Sequence, residues 1–205
     1  MTRTVRSRSA ALAFVLTMLA AMFGTASPAS AQNPTLPIDW NVDISTHFKS
    51  LGMDVELTGG SFQGEVDLVT WDLTGNLTLP PATLDMKIGF IKLASVTFEM
   101  SQAQPITGHV ALAAGTVTTT AAFNVRLASI RPLGLRLNLV GNNCRAVSPI
   151  SASLTGPFSL TGEQTFTSTY TMPKLKGCGL LTPILNLIVP GSGNTMTATF
   201  GPKAV

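Results

Sequence analysis

After residue 31, polar and apolar residues alternate along most of this chain. In "DWNVDISTHF", Trp40, Val42, Ile44, Thr46 and Phe48 share one face, and Asn41, Asp43, Ser45 and His47 the other. "MDVEL" sets Met53, Val55 and Leu57 against Asp54 and Glu56. "TLDMKIGF" sets Leu84, Met86, Ile88 and Phe90 against Asp85 and Lys87. Further rows are Val96/Phe98/Met100, Ile150/Ala152/Leu154, Phe166/Ser168/Tyr170/Met172 and Met196/Ala198/Phe200. The most regular is "LGLRLNLV", with Leu133, Leu135, Leu137 and Leu139 against Gly134, Arg136 and Asn138. A period of two is that of a strand with one buried face. Turn-forming clusters punctuate these runs: "TGGS" (58–61), "TGN" (74–76), "LPP" (79–81), "QPITG" (104–108), "RPLG" (131–134), "GNN" (141–143) and "TGP" (155–157). About 10–12 short strands without crossover helices predict an all-β fold, an antiparallel β-sandwich or barrel-like sheet. One stretch departs from the pattern. "LLTPILNLIV" offers Thr182 as N-cap, Pro183 at the first helical position, and Leu181, Ile184, Leu185 and Ile188 on one face. It predicts a short helical turn near residues 182–189, packed over a sheet end.

The first 31 residues follow another logic. Arg3, Arg6 and Arg8 precede the apolar run "AALAFVLTMLAAMFG", and "ASA" at 29–31 places small residues before a cut between Ala31 and Gln32. That order is a secretory signal peptide. The run, at about 15 residues, falls short of the roughly 20 that a spanning helix needs. No Cys follows the small residues and no Arg-Arg pair precedes the run, so general export is expected rather than a lipid anchor or the twin-arginine route. Residues 32–205 are then one all-β domain, expected outside the cell or in its envelope.

Removing the leader changes the charge picture. The full chain has 13 Lys+Arg and 10 Asp+Glu, and the leader holds three of the Arg, which leaves ten of each sign. A basic pI of about 9.1 therefore belongs mostly to the leader, and nucleic acid loses its support as a partner. The neutral sum is uneven: residues 32–100 carry nine acids and three bases, residues 101–205 one acid and seven bases. Opposed charge on two halves raises self-association as a partner reading. In an exported protein the two cysteines, Cys144 and Cys178, are expected to form a disulfide.

Groups for catalysis are sparse. His47 and His109 are the two histidines, and no G-x-S-x-G motif accompanies them. Asp54 with Glu56, and Glu65 with Asp67, share strand faces at roughly 6–7 Å, near glycosidase spacing, yet alternation already explains them as solvated faces. No calcium-loop motif and no metal-ligand cluster appears, so no cofactor or metal is expected. "PGSGN" (190–194) has the composition of a phosphate loop, but Thr195, Thr197 and Thr199 alternating with Met196, Ala198 and Phe200 make it a turn into a strand, with Gly and Asn at positive φ. An outer-membrane pore would need spanning strands of about 9–11 residues with aromatic girdles, which runs of five to eight do not supply.

"NLVGNNC", the Met-Pro…Gly-Cys-Gly segment and "VPGSGNTMTATF" resemble a group of secreted proteins of high-GC actinobacteria. The resemblance implies a place outside the cell or in its envelope, and no activity. The expected function is an exported, non-enzymatic β-domain that binds a partner or serves as a structural module. The alternative is a carrier of an apolar envelope ligand, a lipid, in a pocket lined by Met53, Met86, Met100, Met172 and Met196, since Met suits adaptable pockets.

Overall fold

The computed structural model describes residues 32–88, 91–132 and 136–203, without the side chains of 86–88 and 91–93. The expected leader, Ala31 included, lies outside the described residues, whereas Gln32 is exposed coil. From Pro34 onward the chain forms one compact unit.

The chain is antiparallel β-sheet throughout. Its strands are β1 (Thr35–Phe48), β2 (Met53–Asp67), β3 (Asp72–Thr78), β4 (Ala82–Ile88), β5 (Ile91–Gln102), β6 (Ile106–Ala111), β7 (Thr116–Pro132), β8 (Arg145–Ala146), β9 (Ile150–Pro157), β10 (Gln164–Met172), β11 (Leu175–Lys176) and β12 (Gly191–Pro202). Among the described residues one α-helix, α1 (Thr182–Ile188), stands between β11 and β12. The strand order is β10-β12-β1-β2-β3-β6-β7-β5-β4, with β9 and β8 also on β7 and β11 on β8. β7 is the spine. β5 and β6 follow one another along one edge of it, and β9 and β8 lie along the other. β9 and β10 come side by side, Gly156 facing Phe166, but no ladder joins them. The sheet therefore rolls into a sandwich-like body without closing into a barrel.

Alternation translated directly into burial in most rows. In β1, Ile38, Trp40, Val42, Ile44, Thr46 and Phe48 are buried while the residues from Asp39 to Ser45 between them face solvent. β10 and β12 behave likewise. The strands are longer than the punctuation implied, because several "turns" lie inside them. "TGGS" is a bulge in β2: the β1–β2 register slips between Val42 and Ile44, Gly59 takes φ +77°, and its N–H, freed from the ladder, donates to Asp43 Oδ1 at 2.8 Å. "TGN" is the middle of β3, where Gly75 pairs with Gly64 of β2 and the Phe62 ring lies over both. "TGP" ends β9.

The described part of the most regular run is no strand. Leu133, Gly134 and Leu135 lie outside the described residues, and Arg136–Val140 is irregular, with Leu137 64% exposed and Val140 buried. Asn138 replaces the ladder there. Its Oδ1 accepts from Ile130 N at 3.1 Å and its Nδ2 donates to Ala128 O at 3.0 Å. The segment is tied to the end of β7 by this side chain and by one backbone bond, Leu139 N to Ile130 O at 3.0 Å, and Leu137 and Leu139 are not buried on a sheet face. β7 itself is missing from the alternating rows. Ala121, Ala122 and Phe123 are buried in succession where its partner changes from β6 to β5, which breaks the period.

The helix starts one residue away from the expected cap. Leu181 precedes it, and Thr182 is its first residue. Thr182 Oγ1 accepts from Cys178 N at 3.1 Å and donates to Gly179 O at 2.9 Å. Leu185 is the buried residue of α1, while Ile184 and Ile188, expected against the sheet, are exposed. Cys144 and Cys178 form the expected disulfide, with Cα atoms 4.2 Å apart and both residues fully buried. It joins the segments that carry β8 and β11.

Candidate functional site

The polar residues that could carry chemistry are spread over separate ladders. His47 and Asp54 face each other across β1 and β2, Nδ1 to Oδ1 at 2.8 Å. His109 and Asp72 do the same across β6 and β3 at 3.1 Å. The His109 hydrogen bond, with a lesser one involving Thr70, holds Asp72 below the ordinary carboxylate range. Both pairs are exposed. Of the same-face carboxylates, Asp67 turns back to cap the β2–β3 turn, accepting from Val69 N and Thr70 N. Among the described residues no three His, Cys, Asp or Glu gather as a metal site would require.

The "PGSGN" segment is strand from Gly191 onward, and Gly193 holds φ +78°. Asn194 departs from the expectation of a positive φ: it is fully buried and structural. Its Oδ1 accepts from Lys49 N at 3.0 Å and its Nδ2 donates to Gly191 O at 2.9 Å, which pins the β1–β2 turn to β12. Asn76, in a formal glycosylation sequon, is exposed on β3 and accepts from Gln102 Nε2 at 3.3 Å.

The opposite charges of the two sequence halves are interleaved by the topology. β1 lies against β12 and β5 against β7. Lys203 Nζ meets Asp39 Oδ1 at 2.5 Å, and Arg126 meets Glu99 at 2.9 Å. These two pairs join acids of the first half to bases of the second within one molecule.

What the fold does build is an apolar cavity of about 70 Å³ at the end of the molecule where α1 lies. Phe48, Leu51, Met53 and Val55 come from the β1–β2 hairpin, and Leu84, Val96 and Phe98 from β4 and β5. Leu127 and Ile130 of β7, Met172 of β10, and Leu185, Ile188 and Val189 complete it. Every lining residue is apolar. Phe48 forms the inner wall, edge-on to Phe98 and Tyr170 at ring separations of 5.7 and 6.2 Å. Behind it, Tyr170 Oη and Thr46 Oγ1 share a buried hydrogen bond of 2.7 Å. Leu51, Met53 and Leu84 are part-exposed and Ile188 is exposed, so the cavity reaches the surface between the β1–β2 turn, β4 and the helix. Of the five methionines expected to line a pocket, Met53 and Met172 do so. Met100 and Met196 are buried in the core, and the side chain of Met86 lies outside the described residues. A second gap of about 30 Å³, bounded by Trp40, Phe62, Phe166 and Phe200, is a packing space among aromatic rings.

A cavity of this size is below the ~150 Å³ that admits benzene and the ~300 Å³ where drug-sized sites begin. Its volume corresponds to a few methylene groups, and two of its lining side chains, Met53 and Met172, are of a flexible type. Its wall draws on seven elements, so no single stretch of sequence could announce it. The nearest signal was the inward methionines.

Compared with protein-family models, with curated proteins and with solved structures, the chain matches none.

Proposed function

We propose that this protein is exported and acts outside the cytoplasm, in the cell envelope or the medium, as a non-enzymatic binding module whose ligand is apolar. The observation that carries this reading is the cavity beside α1: a wholly apolar lining that opens to the surface, in a domain whose His and carboxylate groups sit apart in exposed cross-strand pairs. A wholly apolar wall offers burial and nothing for bond chemistry, which favours binding an alkyl chain. Export is supported by the leader-like residues 1–31, by the resemblance to secreted actinobacterial proteins, and by the disulfide, a bond that persists in oxidising compartments. No helix among the described residues is long and apolar enough to cross a membrane. The pore reading fares less well, since the described strands turn their apolar rows inward and Asp, Ser and Thr outward, the reverse of a lipid-facing barrel.

The test is binding of a fluorescent fatty acid, together with native mass spectrometry of protein purified from its exported fraction. Binding is expected, and Met53→Trp, which places bulk at the cavity mouth, should weaken it about tenfold by excluding one or two methylenes. A protein that carries no lipid and binds no fatty acid would remove the reading.

A further inference from the structure

The exposed surface next to this cavity is as unusual as the cavity. Leu180 is 95% exposed, Leu187 84% and Ile184 57%, three large apolar residues within eight positions. Burial is the norm for such residues, and a cluster rimmed by polar groups marks a contact surface. They sit on the 3₁₀ turn Gly179–Leu181 and on α1, whose other side, through Leu185 and Ile188, is a wall of the cavity. The helix thus divides an apolar interior from an apolar exterior.

The strands beside the helix carry cations. Asn186 of α1 bonds the backbone of Leu175 through both Nδ2 and Oδ1, which lays β11 beside the helix. Lys174 and Lys176 flank Leu175 and are exposed, and Arg145 of β8 stands opposite Lys176 in register. None of the three has a carboxylate partner among the described residues. Glu163, the one acid after residue 100, precedes β10, whose far end leads to the helix, roughly 26 Å away at the strand rise.

We infer that this end of the molecule docks on a bilayer carrying anionic lipid. Leu180, Ile184 and Leu187 enter the acyl layer, and Lys174, Lys176 and Arg145 meet the phosphates, their stems lying along the apolar patch. The inference rests on the apolar-ligand reading and extends it. A cavity mouth held against acyl chains can receive a chain end without passing it through water. It also accounts for the small volume, since the rest of the lipid stays in the bilayer.

Sedimentation with vesicles of phosphatidylcholine alone, and of phosphatidylcholine with phosphatidylglycerol, tests it on protein purified from the exported fraction. Binding to the anionic vesicles is expected, with less to the neutral ones and less at high salt. Leu180→Ser with Leu187→Ser should lower that binding at least about tenfold. Lys174→Gln, Lys176→Gln and Arg145→Gln together should lower it by a similar factor. All of these positions are exposed, and thermal unfolding should confirm an unchanged fold. Fatty-acid binding in solution is measured on the same proteins, and the serine pair should retain it because neither residue lines the cavity. Fatty-acid binding without vesicle binding overturns docking alone. Vesicle binding without fatty-acid binding removes the ligand reading instead. Equal binding to neutral vesicles, or serine variants that bind as wild type, also overturns the proposal. So does a dimer in vesicle-free solution that the serine pair disperses, since a second copy would then be what covers the face.

Discussion

Replacing Gly75 by Ala tests how the aromatic centre of the sheet is held. By intrinsic preference the change should help, since Gly in a strand interior is about 0.5–1 kcal/mol less favourable than Ala. The structure reverses the sign. A Cβ on Gly75 would fall on the Phe62 ring, 2.6 Å from Cε2 and 2.9 Å from Gln63 O, both inside van der Waals contact. Toward Gly64 the ring is already close, lying over the place a Cβ would occupy, 2.8 Å from its Cζ, so little room is left on that side. On its other sides lie Trp40 and Phe200, with ring centroids at 6.3 and 5.9 Å. Overpacking of this kind costs about 1–3 kcal/mol. At the 2–4 °C per kcal/mol usual for a domain of this size, Tm should fall by roughly 2–12 °C. The assay is urea unfolding of wild type, Gly75→Ala, Phe62→Leu and the double variant. Phe62→Leu alone is destabilising, but it vacates the space the new methyl needs. The double variant should therefore be more stable than the sum of the singles by 0.5 kcal/mol or more, the range of coupling seen between touching residues. A neutral or stabilising Gly75→Ala, or strict additivity with Phe62→Leu, would refute the argument that the Gly64–Gly75 pair exists to seat this ring.

Two further outcomes follow from single groups. Tyr170 is the one tyrosine of the chain, so alkaline difference absorbance reads it alone. Burial pushes its phenol above the ordinary value near 10, against a smaller opposing effect of the Thr46 hydrogen bond. Because the folded-state value is the raised one, its contribution to stability is intact below pH ~10 and is lost as pH rises from there through the folded value. Thr46→Val should move the midpoint higher still, and a midpoint at or below 10 in the folded protein would contradict the buried site. Breaking the Cys144–Cys178 bridge, which spans 34 residues, should cost roughly 3–4 kcal/mol on the chain-entropy account, seen as a lower urea midpoint for Cys144→Ser with Cys178→Ser. Free thiols titrated in the purified, unreduced protein would sink that expectation.

Fold class was legible because burial in a sheet is a local code. A residue's face is decided by whether its number is odd or even within a strand, so rows such as Trp40 to Phe48 or Phe166 to Met172 could be read without knowing their neighbours. The disulfide was legible from two cysteines in a chain whose first residues read as an export leader. Glycine misled the reading. Gly59, Gly75 and Gly156 look like turn residues, yet one makes a bulge and two make room for Phe62 and Phe166. Whether a glycine bends a chain or admits a ring depends on what stands across the ladder, tens of residues away.

The "LGLRLNLV" run shows the same limit from the other side. Its period is perfect, but a strand also needs a partner, and Asn138 occupies the edge of β7 where that partner would have bonded. The cavity and the bare leucines of the helix end were out of reach for a related reason. Local pattern determines which side of an element is apolar. Only the assembled fold determines whether that side meets another wall, as Leu185 does, or meets solvent, as Leu180 and Leu187 do. Apolar residues carry the same preference in both cases. The difference lies in whether strands distant in sequence arrive to cover them, and that is a property of the closed packing alone.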